Sequence, residues 1–385
     1  MIPEQTEVLV VGAGPVGLAT AVSLAQQGVE VTVLDQQAEG ANTSRAAVVH
    51  PRTMEALDRL GVADRLAGLS LRAGRFTIRD RDRVLVPLEF DQVPSPYRTL
   101  FMVPQPTTER VLLERFVELG GEVLRPHRLT ALDQNANGVV ATVDGQHRIT
   151  ARYVVGADGM RSAVRELSGI GFGKDSAGET FTLADVRLQD GGNGGLPGDE
   201  VVLFFSGAGM VVSAPLPDGS FRIVAEVANP PEEPDLTFVQ DLLDRRGPAA
   251  GTARIAEVVW GSRFRVHHRV ADRYRAGRVL LAGDAAHVHS PAGGQGMNLG
   301  LRDAVALGEA LGAVVKGGTE SLLDEYAATQ RPKAEEVVKF AGRLTRLATA
   351  SPMARPVRNA VLSALAKVPA FRMMLTKRLA GVADR

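Results

Sequence analysis

The apolar positions of this chain come in two textures. Short unbroken apolar runs, Val8-Leu9-Val10-Val11, Tyr153-Val154-Val155 and Val279-Leu280-Leu281-Ala282, each stop at a glycine. Runs of that length bounded by glycine predict buried strands. Elsewhere apolar and polar residues alternate, as at Phe76, Ile78, Val84, Val86 and Leu88 within 72–98, the two-residue period of a strand. Further strands are expected at 29–34, 139–143 and 149–155. Five more are expected at 180–188, 201–205, 210–215, 221–227 and 255–264, parted by Gly- and Pro-rich turns. Helices are expected after the first glycine turn, around 54–60, over 108–119, and then over 303–315, 321–340 and 358–379, the last interrupted by Pro369.

The glycines that end these runs carry chemistry. Gly12-Ala13-Gly14-Pro15-Val16-Gly17 joins a strand to a helix through a turn too tight for side chains. Gly12 takes the backbone angles of the turn, Gly14 lets the main chain approach a pyrophosphate, and Gly17 allows helix and strand to pack closely. The amides that open the helix at about Pro15 face the phosphates with the positive end of the helix dipole. Asp35, ending the second strand, is placed to accept hydrogen bonds from an adenosine ribose, and its charge disfavours a 2′-phosphate. Those features suit FAD or NAD. The run ending in Gly283-Asp284, followed by Pro291-Ala292-Gly293-Gly294-Gln295-Gly296-Met297-Asn298, decides for FAD, a cofactor long enough to need a second set of contacts. Asp284 is suited to the ribityl hydroxyls. The amides opening the next helix, whose apolar face reads Leu301, Ala304, Val305 and Leu311, are suited to the flavin N1–C2=O edge.

With Gly156-Ala157-Asp158-Gly159-Met160-Arg161-Ser162-Ala163-Val164-Arg165, these segments resemble the class A FAD-dependent aromatic hydroxylases, the p-hydroxybenzoate hydroxylase-like monooxygenases of the phenol and polyketide branch. The resemblance extends to Ser44-Arg45-Ala46 and to Gln105 with the helix 108–119, and it implies that Arg45 and Gln105 contact FAD. It also implies that Asp158 and Gly159 serve the flavin and a nicotinamide cofactor, with Arg161 and Arg165 as cations for a pyrophosphate. Gly283 and Asp284 would contact the flavin, and Pro291, Gly294, Gly296, Met297 and Asn298 would lie against the isoalloxazine. The activity implied is a monooxygenase. NADPH or NADH reduces FAD, O₂ gives a C4a-hydroperoxyflavin, and one oxygen passes to a phenolic or polyketide-like ring. In this family the flavin swings between two positions, a movement that glycines 293, 294 and 296 would permit. The group that ionises the substrate is left open among Tyr97, His287, His289 and Arg222. Two alternatives stay open: an FAD-dependent reductase of the same fold, and a non-catalytic flavin-fold binder of a reactive intermediate. Flavin halogenases carry Trp-x-Trp-x-Ile-Pro, whereas Trp260 here is followed by Gly-Ser-Arg.

The expected fold is therefore α/β: a Rossmann-like FAD-binding domain in three parts (1–71, 99–171, 269–330), an inserted mixed β-sheet substrate domain (72–98, 172–268), and a C-terminal helical segment (331–385). Its last helix, 358–379, is expected to pack on the flavin domain or a second subunit, and a thioredoxin-like module beyond it is expected to be absent. Composition narrows the partners. Lys plus Arg and Asp plus Glu both number 44 in 385 residues, so net charge draws the chain neither to nucleic acid nor to anionic membrane. There is no cysteine, hence no disulfide, thiol centre or cysteinyl–flavin bond. The seven histidines show no metal-ligand spacing. Neither a signal peptide nor a membrane span is legible, so a cytoplasmic monomer or homodimer is expected.

Overall fold

The three apolar runs lie side by side in the computed structural model, which describes residues 1–40, 46–173, 178–189, 195–291, 294–348 and 353–383. Strands Gln5–Val11, His147–Gly156 and Val279–Leu281 are parallel neighbours, with Val11 registered on Gly156 and Gly156 on Leu281. Their carboxyl ends therefore share one level, and all three glycine turns leave the sheet along the same edge. Backbone bonds fix this register: Ala157 donates to the carbonyl of Val11 (2.8 Å) and Ala282 to that of Gly156 (3.0 Å). Val31–Leu34 and Val123–Leu124 continue the parallel order, Arg275–Ala276 closes the far edge, and the hairpin Leu129–Gln134 with Val139–Val143 branches from His147–Gly156. Val8, Leu9 and Val10 are fully buried, as a parallel sheet covered by helices requires.

Helix Pro15–Gln26 packs against both Gly296–Val315 and Gln105–Glu118. Its small residues permit the close approach. A Cβ on Gly17 would be driven into the carbonyl oxygen of Gly12.

A second, seven-stranded sheet runs Ile255–Val266, Glu179–Leu188, Phe221–Glu226, Gly209–Pro215, Glu200–Ser206, Arg75–Asp80, Arg83–Glu89. It is antiparallel except where Glu200–Ser206 meets Arg75–Asp80, the joint at which 72–98 enters the sheet. Glu200, 1 % exposed, is held there by Arg79 and Arg75. Both faces are buried. Phe181, Leu183, Leu203 and Phe205 point to one core, and Ala184, Val186, Val202 and Phe204 to another beneath helix Leu236–Arg246. That helix is an addition to the expected strands. It is capped by Asp235, which accepts from the Phe238 amide at 2.8 Å, and it buries Val239, Leu242 and Leu243.

The last two helices pack differently from the expectation. Helices Arg355–Leu365 and Pro369–Ala380, separated before Pro369, lie against strand Arg83–Glu89 of the large sheet. Asp80 anchors them by accepting from Arg355 and Asn359. Of these two helices, the second reaches the nucleotide-binding side at its end, where Gln295 and Arg302 donate to the carbonyls of Leu379 and Gly381. No helix among the described residues is long and apolar enough to cross a membrane.

Gly17→Ala should cost about 1–3 kcal/mol by overpacking the turn. A thermal melt of the protein stripped of cofactor reads this directly, and an unchanged midpoint would show that the turn can yield.

Candidate active site

A single elongated cavity of about 580 Å³ runs between the carboxyl edge of the parallel sheet and one face of the large sheet. Most of the residues singled out in the sequence border it: Gly12, Gly14, Pro15, Val16, Asp35 and Gln105 along one stretch. Asp158, Gly159, Asp284, Pro291, Gly294, Gly296 and Met297 border it along another. Arg161 does so too. Arg45 and Gly293 lie outside the described residues.

Three of the expected residues stand behind the wall and hold it in shape. Gly17 supports the first turn. Gly283 adopts a left-handed conformation (φ 63°), with the Val16 side chain where a Cβ would go. The Asn298 side chain accepts from the His50 amide (2.8 Å) and donates to the carbonyls of Val48 and Gly294 (both 2.8 Å), tying three segments together. Asp158 borders the cavity, yet its carboxylate is turned to Ser162 and the Val164 amide. Burial raises its pKa, against those hydrogen bonds. Arg165, expected as a cation for a pyrophosphate, is 4 % exposed; it donates to the carbonyls of Ala285 and Met160 and lies 3.9 Å over the Phe172 ring. It joins the second glycine turn to the third.

The walls fit a dinucleotide. Helices Pro15–Gln26 and Gly296–Val315 both start at the cavity with no side-chain cap and no acidic residue in the first turn, so their opening amides face it unscreened. A Cβ on Gly14 would meet nothing within 4 Å, so this backbone borders open room. Asp35 accepts from the Ala13 and Gln37 amides (2.7 and 2.8 Å). Near it stand Glu109, in the helix that the resemblance pairs with Gln105, and Arg125, which carries no motif. Arg125 donates to the Ala13 carbonyl at 3.3 Å, while its Nε is buried with no protein partner. Glu109 accepts from Gln105 (2.8 Å), and burial raises its pKa. Only the fold brings these two beside Asp35.

The large-sheet side of the cavity is apolar, formed by residues such as Phe76, Phe90, Leu183, Val224 and Phe264. Among the four candidate activating groups, two border it. Arg222 does so while bonded to Asp185 (2.7 and 2.8 Å) and to the Ala46 carbonyl (3.1 Å). His289 borders it with its ring, but Nδ1 bonds to the Ser290 carbonyl and Nε2 is enclosed by protein; burial pushes its pKa down to about 4. His287 is fully buried and bonded to Asp303 at 2.7 Å, which also accepts from the Gly283 amide at 3.4 Å. Tyr97 packs edge-on against Phe101, and burial, with Asp58 next, pushes its pKa to about 12. No group of acidic, His or Cys residues among those described could hold a metal.

A family model described as an FAD binding domain matches residues 5–341. The chain belongs to the FAD-dependent aromatic monooxygenases. A 12-dehydrotetracycline 5-monooxygenase/anhydrotetracycline 6-monooxygenase from Streptomyces rimosus is 38 % identical over 358 residues, 86 % of this chain and 68 % of the relative. The crystal structure of p-nitrophenol 4-monooxygenase from Pseudomonas putida DLL-E4 superposes with a TM-score of 0.87 at 27 % identity, covering 99 % of both chains. Anhydrotetracycline hydroxylase from Streptomyces rimosus gives a TM-score of 0.81 at 34 % identity, covering 98 % of this chain and 76 % of that one. The monooxygenase carries FAD.

Gly14→Ala separates binding from folding. The new methyl enters open space at an ordinary backbone angle (φ −74°), so the melting midpoint of the cofactor-free monooxygenase should stay unchanged. FAD affinity should fall by roughly 1–3 kcal/mol if the main chain there approaches a pyrophosphate. Full FAD retention by this variant would move the pyrophosphate elsewhere.

Proposed function

We propose that this monooxygenase hydroxylates a phenolic or polyketide-like aromatic ring, using O₂ and either NADPH or NADH. The observation that carries this reading is the division of one cavity into two linings. Its glycine-turn side offers uncapped helix amides and the carboxylates of Asp35 and Asp284, and its large-sheet side offers aromatic and aliphatic side chains. Bound FAD supplies the two-electron reduction and the activation of oxygen.

The chain's own work is binding, orientation and exclusion of water. The Gly12–Gly17 turn and the first amides of Pro15–Gln26 would hold the pyrophosphate, with Asp35 on the adenosine ribose. Asp284, which is exposed on the cavity wall, would take the ribityl hydroxyls. The first amides of Gly296–Val315 would stabilise negative charge on the flavin edge. Phe76, Phe90 and Phe264 would hold the ring of the substrate and keep water from it.

Movement of the flavin past the loop before Gly296 is part of the same proposal, and the structure changes how it should be tested. Gly294 has φ 63°, and a Cβ there would run into the Val48 side chain, so any substitution disturbs the fold before it touches the flavin. Gly296 has open space around it. Gly296→Val is the variant that obstructs movement without a clash.

The purified protein should be yellow and release FAD on denaturation, and Asp284→Ala should retain less of it. With its substrate, the enzyme should oxidise NAD(P)H at least tenfold faster than alone, about 1.4 kcal/mol in barrier, and form a product one oxygen atom heavier. Hydrogenated product formed without O₂ would point to a reductase, and no turnover with any phenol to a binder. In Gly296→Val, stopped-flow should show the substrate-dependent increase shrinking; an unchanged increase removes the loop from gating.

A further inference from the structure

The cavity has one wall from an unexpected place. Leu379, near the end of helix Pro369–Ala380, is 5 % exposed, borders the cavity, and shares an apolar core with Phe76, Phe90, Leu100, Val224 and Val266. Those five come from the large sheet and the segment 90–100, far away in sequence. The position of Leu379 is fixed by a polar latch on its own carbonyl. Gln295 Nε2 donates to the Leu379 carbonyl (3.2 Å) and to His50 Nδ1 (3.3 Å), and His50 donates to the same carbonyl. His50 and Gln295 are each 3 % exposed, and burial pushes the His50 pKa down to about 3, so the imidazole is neutral and keeps an acceptor for Gln295. Arg302 donates to the Gly381 carbonyl at 3.3 Å, two residues further along.

This latch sits at a particular point. Gln295 directly precedes the helix Gly296–Val315 and follows Gly294, so the residue that fixes the C-terminal wall belongs to the loop that borders the flavin path. Helix Pro369–Ala380 is braced on the large sheet through strand Arg83–Glu89, beside helix Arg355–Leu365, which Asp80 holds through Arg355 and Asn359. A side chain held from both sides cannot retreat to admit a larger ligand, so its volume counts against the ligand in full.

We propose that Leu379 is a specificity-determining residue, setting the size of aromatic ring system the cavity admits, with His50 and Gln295 as positioning residues that hold it in place. This rests on the proposal that the substrate is an aromatic ring bound on the large-sheet side. Shortening Leu379 should favour larger ring systems, and enlarging it should favour smaller ones.

The test uses the FAD-loaded protein and three probes of increasing size, phenol, 2-naphthol and 9-phenanthrol, with dissociation constants from equilibrium dialysis. Leu379→Ala should shift the 9-phenanthrol to phenol affinity ratio about tenfold toward the larger probe, and Leu379→Phe about tenfold the other way. Gln295→Met, which removes the latch and keeps the volume, should compress the ratio toward one, with FAD content unchanged. Should Leu379→Ala fail to fold, Leu379→Val and Leu379→Met give a smaller step and a volume-matched control. Ratios that stay fixed across the Leu379 series, while wild type binds the probes, overturn the role of Leu379 and leave the aromatic reading standing. If wild type binds none of the three probes, the aromatic reading falls, and the role of Leu379 with it.

Discussion

Everything in the site depends on the shared level at which three parallel strands end. Val11, Gly156 and Leu281 are registered partners, so the turns after them emerge at one edge of the sheet. A shift of one residue in either pairing would carry one turn about 3.3 Å along the strand and reverse which of its side chains face the helices. A long cofactor lying across that edge can touch all three turns only while the register holds. Close backbone contact enforces it: Gly12, at φ 102°, lies so near Ala157 that a side chain there would strike the Ala157 carbonyl. The glycines are thus demanded by the neighbouring strand as much as by any ligand.

Buried polar side chains then fix the loops that the strands only launch. Arg165 ties the second turn to the third, Asp303 receives both His287 and the Gly283 amide, and Asn298 ties the flavin-side loop to Val48 and His50. Each of these groups is desolvated, and each is worth keeping only because its partners are preplaced. An enzyme that positions a reactive cofactor needs loops of low mobility, and hydrogen bonds inside the protein provide this where regular structure has ended.

The sequence discloses well the turns that border the cavity because each is local: a run of six to ten residues with its own backbone demands. What such a motif does not disclose is the direction of its side chains. Asp158 and Asn298 sit at motif positions, yet both turn their side chains inward, and Arg165 is a buried brace where a phosphate-binding cation was expected. Arg125 reaches the Asp35 end of the cavity through folding alone, without any spacing that could announce it, whereas Glu109 lies in the helix that already resembled the family beside Gln105. Helix Leu236–Arg246 escaped notice because its Pro-rich approach at 229–234 reads as one more turn between strands, although Asp235 carries a helix cap. The C-terminal helices were legible as helices. Their docking on Arg83–Glu89 was not, since an amphipathic face says that something covers it and not what.

The two linings of the cavity also divide the ways in which this protein can change. Along the glycine turns the wall is main chain and carboxylate, and neighbouring atoms leave no room for side chains at Gly12, Gly17, Gly283 and Gly294. On the other side the wall is assembled from single side chains on separate strands and on the last helix, each held by its own element. Substitution at one such position alters the volume of the pocket while leaving strand register and flavin contacts intact. Related chains can therefore act on rings as different as p-nitrophenol and anhydrotetracycline, as their names record, over one fold. The coupling between the sides includes Arg222 to the Ala46 carbonyl and Gln295 to the Leu379 carbonyl. Both bonds run from a side chain to a main-chain oxygen, so they persist whatever residue occupies the partner position, and the substrate wall can be rebuilt without losing its alignment to the cofactor.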